Sequence, residues 1–380
     1  MNSPGRSSGK VAPLVVVAQS GRALAAAARA AGWSPRVIDR FGDVDTAQVA
    51  AEVAVAPVDA DGALSVAFVV STLATWRVHG APYIVWGGGL EAQPGLLDEL
   101  SRAGELLGSP RAAIRRLHDP VALAATLREL GIPVPDTREA APPGPGWLRK
   151  RRAAAGGWHV RRHRASAPTL PGEYAQREIP GRAYSFSFVA CAGGVEELSF
   201  NRPLALQPCA AQPWRYGGAV VDDTLPAAAR GQCRDYAVRI ATHLGWRGLC
   251  GFDFVYDGSR CVIVDPNPRP TATSALAFTP ASTFAAHVAA CENAPLPPLD
   301  PQPGVHGHAV CYAPDAIQIP NSLDWPDWVA DRPQPGSLIP AQAPLCTVVA
   351  ATDRAIGTED LLAARLAALW QWIAASVGHR

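Results

Sequence analysis

Lysine is nearly absent from this chain: of its 34 basic residues, only Lys10 and Lys150 are lysines. Against so complete a replacement by arginine, a lysine that persists has a role a guanidinium cannot fill. Lys10 lies in a polar N-terminal stretch, so attention falls on Lys150. No sign of charge dominates either. With 34 basic and 33 acidic residues the net charge is +1, which gives no electrostatic ground for a nucleic-acid or anionic-membrane partner. The basic stretch 149–164 is the one local exception. No run of about 18 apolar residues is present to span a bilayer, and residues 1–10 lack the apolar segment of a signal peptide. The cytoplasm and no membrane partner are therefore expected. The eight cysteines include no C-x-x-C pair. Several sit within apolar runs, as buried free thiols do, rather than as zinc or disulfide frameworks.

What is present describes an ordinary globular protein of several units. Its 380 residues are 48% hydrophobic and 18% charged, enough to bury sizeable cores. Residues 13–19 form a β-branched run closed by Ser20-Gly21, and an alanine-rich helix and a second strand at 35–39 follow. That is a βαβ unit. A helical stretch from Ala47, a helix at 63–75 and a strand at 83–86 extend it into a small doubly wound α/β domain. Gly87-Gly88-Gly89 lacks the G-x-G-x-x-G spacing and does not follow the first strand. It reads as a permissive loop at a strand end rather than a dinucleotide site. A helix at 119–130, a proline- and glycine-rich linker at 140–146, and strands at 147–150, 176–179, 184–191, 251–256 and 261–265 come next. A helix at 225–244 lies among them. Strands at 308–312 and 345–351 precede a final helix at 358–375.

Three constellations carry chemistry. In the first, a strand ends in Lys150 and runs into a small-residue loop with the pair Gly156-Gly157. A compact cation on rigid backbone beside a permissive loop suits phosphate; the alternative is a basic hairpin with an exposed turn. The second, Gln176-Arg177-Glu178-Ile179-Pro180-Gly181, is a short strand closed by a tight turn. It can offer Glu178 and backbone groups to an adenine edge, or be a plain surface turn. The third joins Gly251-Phe252-Asp253-Phe254-Val255 to Cys261-Val262-Ile263-Val264-Asp265-Pro266-Asn267-Pro268-Arg269 through a hairpin around Asp257-Gly258. Asp253 and Asp265 interrupt apolar runs, and Asn267 shares a strand face with Asp265. Two carboxylates and an amide oxygen are hard ligands for magnesium (Mg2+) held against phosphates. Without a cation, burying both aspartates would be costly; the alternative is a pair of aspartates at a sheet edge facing water.

A strand lysine, a glycine-pair loop, an adenine hinge and a metal strand, in this order, resemble the ATP-grasp superfamily. The Asn267–Thr271 motif is similar to that of tyramine–glutamate ligase and of the predicted ATP-dependent carboligases of methylotrophs. The openings around Ser20-Gly21-Arg22, Phe41–Asp45 and Gly87–Glu91 resemble the latter group. The resemblance implies a small pre-ATP-grasp α/β domain at 11–105 after a disordered tail at 1–10. An α+β ATP-grasp domain at 106–295 and a C-terminal extension at 296–380 would follow. It implies ATP and Mg2+ as cofactors. Lys150, Gly156 and Gly157 would meet the phosphates, and Glu178 and Ile179 the adenosine. Asp253, Asp265 and Asn267 would hold magnesium, and Arg269 the phosphoryl group. Arg22, Glu91, Thr271 and Ser274 are candidates for the substrate cleft. One departure is plain: where many of these enzymes carry a further lysine, this chain reads Leu117-His118-Asp119-Pro120.

The expected activity is a carboxylate–amine ligase forming an amide through an acyl phosphate, in synthesis of a tetrahydromethanopterin- or methanofuran-type one-carbon carrier. Small-molecule carboxylate and amine substrates, and a homodimer, are the expected partners. A nucleotide-binding scaffold without turnover is the competing reading, and a biotin-carboxylase-like enzyme a third.

Overall fold

The structure is a computed structural model that describes residues 13–76, 81–164 and 170–377. The expected tail at 1–10 lies outside them. In chain order the elements are β1 (Leu14–Val17), α1 (Arg22–Ala30), β2 (Pro35–Asp39), α2 (Val44–Val49), β3 (Glu52–Val55), α3 (Val66–Trp76), β4 (Tyr83–Trp86), α4 (Pro94–Ala103), β5 (Glu105–Leu107), α5 (Arg111–Arg116) and α6 (Pro120–Glu129). Then come β6 (Thr137–Arg138), β7 (Trp147–Arg151), β8 (Arg161–Arg162), β9 (Glu173–Arg177), β10 (Arg182–Cys191), β11 (Gly194–Pro203), β12 (Gly218–Val221), α7 (Ala227–Leu244), β13 (Gly248–Tyr256), β14 (Cys261–Asn267) and α8 (Pro280–Cys291). The last elements are β15 (Val305–Tyr312), β16 (Ile317–Gln318), β17 (Val329–Ala330), β18 (Leu338–Ile339), β19 (Pro344–Thr352) and α9 (Ala355–Val377).

The first sheet is parallel, in the order β3-β2-β1-β4-β5. All of Leu14–Val17 is buried, as expected of a central parallel strand covered on both faces. Val15, Val17, Ile38 and Trp86 face a core shared with Leu73 of α3 and Leu100 of α4. The opposite face packs on α1 and, from far along the chain, on α8: Phe284 and Val288 join Leu14, Ala28, Val85 and Leu107 in one cluster. Thr279 caps α8, its side chain accepting from Ser282 N, and Pro280 occupies the first turn, a start signal legible in sequence.

The eight-stranded sheet runs β14-β13-β10-β11-β12-β15-β19-β17 and is antiparallel wherever its strands pair. Alternation decides its faces. Tyr184, Phe186, Phe188, Phe252 and Phe254 point to a core closed by α7, with Phe186 stacked on Phe200 at 4.4 Å between centroids. Asp253, between two of these phenylalanines, therefore faces the other way. A further four-stranded sheet, β6-β9-β7-β8, carries Lys150. At the far end, α9 packs over β15 and β19 through Leu362, Leu366 and Leu369.

Candidate functional site

The hairpin β13–β14 contains a bulge, and the bulge builds the site. From the turn, Tyr256 pairs with Cys261, Val255 with Val262 and Phe254 with Ile263. The register then shifts, so that Asp253 pairs with Asp265 and Gly251 with Asn267. Val264 is the extra residue. Unshifted pairing would place Asp253 opposite Val264 and turn Asp265 onto the face of Ile263, in the aromatic core. One inserted residue reverses that parity, so both aspartates share one face. Strand alternation alone puts Asp265 and Asn267 on one face; the bulge that adds Asp253 shows only in the pairing.

The bulge also frees a carbonyl. Lys150 Nζ donates to Val264 O at 3.1 Å and to Gln176 Oε1 at 3.2 Å, and Gln176 Nε2 donates to Val264 O at 3.3 Å. Lys150 is 7% exposed. Burial works against its charge, but Tyr174, Asp265 and Asp253 outweigh that, and its pKa lies above the ordinary lysine value. Tyr174, opposite Lys150 in the β7–β9 ladder, has its phenol pushed up by burial. Asp253 is pushed up to about 7, first by burial and then by Asp265, against the pull of Arg269, Lys150 and a hydrogen bond from Asn267. Two adjacent carboxylates that one lysine does not fully neutralise fit a divalent cation. Among the described residues no group of three or more His, Cys, Asp and Glu could hold a metal; the third donor here is the amide of Asn267.

Three of the five guanidinium N–H groups of Arg269 are engaged. Its Nε donates to Glu91 Oε1 at 2.7 Å, Nη1 to Pro270 O at 3.1 Å and Nη2 to Asn267 Oδ1 at 3.0 Å. Glu91 also accepts from Gly89 N at 2.7 Å. The loop after β4 and the strand β14 are thereby joined beside a narrow cavity of about 60 Å³, lined by Glu91, Tyr174, Gln176, Asp265 and Asn267 among others.

The remaining expected residues fall differently. Glu178 and Ile179 do not line this cavity. β9 ends at Arg177, strand parity lapses there, and the Glu178 carboxylate pairs with exposed Arg162 at 2.8 Å. The inward side chain of the hinge is Gln176. Gly156 and Gly157 do belong to a loop facing a cleft, but Gly157 sits at φ +70° where an added Cβ would meet Trp214 O at 1.9 Å. Tyr216 N donates to Gly156 O at 2.9 Å, tying the loop down. Arg22 is not a cleft residue: its Nε bonds Asp331 Oδ1 at 2.6 Å, while Asp45 accepts from the backbone of Asp331 and Arg332, both at 2.9 Å. It clamps the first sheet to the C-terminal strands. Thr271 and Ser274 are likewise absorbed in a hydroxyl cluster with Thr273 and Ser187, and Glu91, though beside the cavity, is spent on Arg269. The sequence reading missed Gln176 and Tyr174; the two-residue periodicity of the strand opposite Lys150 was the available signal.

Residues 117–273 match a family model described as an ATP-grasp domain. No curated protein matches the chain. Among solved structures, N5-carboxyaminoimidazole ribonucleotide synthetase from Thermus thermophilus superposes with a TM-score of 0.66 at 17% identity, over 94% of this chain and 98% of that one. The biotin carboxylase domain dimer of 2-oxoglutarate carboxylase from Hydrogenobacter thermophilus, in complex with MgADP, ADP and bicarbonate, gives 0.68 at 13%, over 89% and 86%. Biotin carboxylase from Campylobacter jejuni gives 0.68 at 13%, over 93% and 95%. Such identities establish likeness of fold: an ATP-grasp domain preceded by a parallel α/β sheet, the class expected from sequence.

Proposed function

We propose that the chain is an ATP-dependent carboxylate–amine ligase, forming an amide through an acyl phosphate. The observation that carries this reading is the convergence of Asp253, Asp265 and Asn267 beside a buried lysine through the Val264 bulge. Asp253, Asp265 and Asn267 would hold magnesium, which when bound supplies charge neutralisation at the transferring phosphoryl group. Lys150 supplies a fixed positive charge for phosphate oxygens, pre-oriented by Gln176 and Val264 O. Arg269, held rigid by Glu91 and Asn267, stabilises charge on the phosphoryl group or the acyl phosphate. The Gly156-Gly157 loop limits water at the reacting centre. The cavity of about 60 Å³ beside these residues is smaller than a purine.

The finer parts of the reading rest on the resemblance of Asn267–Thr271 and the Gly87–Glu91 loop. On that ground we assign the product to tetrahydromethanopterin- or methanofuran-type cofactor synthesis, the location to the cytoplasm and the assembly to a homodimer. We further take the units to be 11–105, 106–295 and 296–380. Calorimetry of MgATP binding, comparing the parent with Asp265→Ala plus Asn267→Ala, tests the core of it. Magnesium-dependent binding that disappears in the variant is expected; a folded parent that binds neither ATP, ADP nor GTP would sink the mechanism.

A further inference from the structure

A large cleft of about 910 Å³ lies beside the nucleotide cavity and differs from it in chemistry. One wall is the carboxyl edge of the parallel sheet: Gln19 follows β1, Arg40 follows β2, and Gly88-Gly89 follow β4. With the order β3-β2-β1-β4-β5 the strand succession reverses between β1 and β4, and ligands of open α/β sheets bind at such a point. The glycine loop forms a second wall and Arg215, Tyr312 and Gln342 the third. Gly88 also backs onto Arg269, whose Cζ is 3.5 Å from where a Cβ on that glycine would stand. The cleft is thus continuous with the proposed reacting centre.

Its charges do not balance. Arg40, Arg151, Arg152 and Arg215 line it against only Asp59 and Asp61. Asp61 is taken by Arg151 at 3.1 Å, Arg152 pairs with Glu139, and Asp59 accepts the backbone N–H groups of Asp61 and Ala63, both at 2.9 Å. Among the described residues Arg40 and Arg215 have no acidic partner. In a chain of net charge +1, two uncompensated guanidinium groups in one cleft are a local construction. They are also oriented. Arg40 lies over Phe41 with 5.3 Å to the ring centroid, Arg151 over Trp158 at 5.5 Å and Arg215 over Tyr312 at 3.7 Å. A ring beneath a guanidinium fixes its plane; Arg215 Nη1 donates to Gln342 Oε1 at 3.1 Å, which leaves the Nε and Nη2 edge of Arg215, with Arg40, for an anion. Phe41 and Trp158 remain 36% and 44% exposed.

The geometry points to a second substrate that carries at least two acidic groups, gripped by Arg40 and Arg215 while its reacting end reaches the Gly88–Arg269 side. This rests on the ligase reading for which molecule is the substrate, but the anion site itself is separately measurable. Isophthalate and glutarate, each compared with its diamide, serve as probes by calorimetry at low salt. Each diacid is expected to bind the parent at least about tenfold more tightly than its diamide, the worth of one charge-assisted hydrogen bond. Arg40→Gln plus Arg215→Gln is expected to remove that preference while keeping MgATP binding, which also shows that the variant is folded. Asp265→Ala plus Asn267→Ala is expected to keep diacid binding. Equal affinity for diacid and diamide, no diacid binding, or undiminished binding by the double glutamine variant would overturn the assignment. Diacid binding by a parent that ignores MgATP would instead defeat the ligase reading and leave the anion site standing.

Discussion

Arg269 Nε meets Glu91 Oε1 at 2.7 Å across 178 residues of sequence, with side chains only 11% and 5% exposed. The pair joins the loop of the parallel sheet to the metal strand, and both ends need it. Removing one partner of a buried pair leaves the other charge stranded, at about 3–5 kcal/mol. Glu91→Ala should therefore lower unfolding stability by about that amount in urea titration, and Glu91→Gln should cost less while still displacing Arg269 and slowing turnover. A neutral effect of Glu91→Ala on both stability and turnover would remove the pair from the account.

Lys150→Arg tests why a lysine persists here. The site receives one compact ammonium between Gln176 Oε1 and Val264 O, and a planar fork does not fit those acceptors. Charge is conserved in the substitution, yet nucleotide-dependent turnover should fall by about 100-fold or more, as for loss of one preorganised donor. Near-parental rates for the arginine variant would mean that charge alone suffices.

Proton linkage gives a third test. Asp253 titrates near 7 in the folded chain against an ordinary value of 3.8. Between those values the native state keeps a proton that the unfolded state has released, so stability falls as pH rises through that window. Asp43, pushed up to about 8 by burial and then by Asp331, adds a slope of the same sign. Only the Asp253 part should respond to magnesium. The buried imidazoles of His159, His287 and His308, each pushed down to about 4 from the ordinary 6.5, give the opposite slope between those values. The test is therefore a difference: without metal, the melting temperature of the parent should fall relative to Asp253→Asn as pH rises from about 4 to 7, and magnesium chloride should recover part of that fall. Asp253→Asn should abolish the magnesium effect and leave the Asp43 slope.

Gly157→Ala places a Cβ at φ +70° and 1.9 Å from Trp214 O. The backbone conformation alone costs about 1–3 kcal/mol, and the carbonyl must move besides. The variant should be destabilised and should leak ATP to water in the absence of acceptor, read as uncoupled phosphate release. Gly144, at φ +108° with open space around it, is the control: alanine there bears the conformational strain without the collision or the leak.

Arg22→Ala separates a structural role from a substrate role. Because Arg22 bonds Asp331 at 2.6 Å and stands away from the cleft lining, the variant should lose about 3 kcal/mol of stability. The KM for either substrate should stay unchanged. A raised KM with intact stability would return Arg22 to the cleft.

The legibility of this molecule follows from which signals are local. Lys150, Asp253, Asp265 and Asn267 stood out because each breaks a local expectation of composition or apolarity, and the parallel sheet because Leu14–Val17 is uninterrupted. Glu178 stands out over Gln176 in sequence because a carboxylate beside a tight turn suggests a ligand, whereas the strand boundary at Arg177 that decides between them is set by pairing with β7. The Val264 bulge has no composition of its own. Arg22, Thr271 and Ser274 are polar residues near expected loops; tertiary contacts with Asp331 and Ser187 already occupy Arg22 and Thr271, and Thr271 in turn holds Ser274. Helix α8 carries its own start signal in Thr279-Pro280.

That helix has a consequence for any attempt to cut the molecule apart. Phe284 and Val288 fill the back of a sheet whose strands all come from the first 107 residues, so neither portion is complete without the other. Cleavage in the turn near Pro142-Pro143 should leave two fragments that stay associated as a nicked protein. Separately expressed, the N-terminal fragment would present a bare hydrophobic wall and aggregate; co-expressed, the two should complement each other. Exchanging this sheet for that of a relative would then succeed only when α8 travels with it.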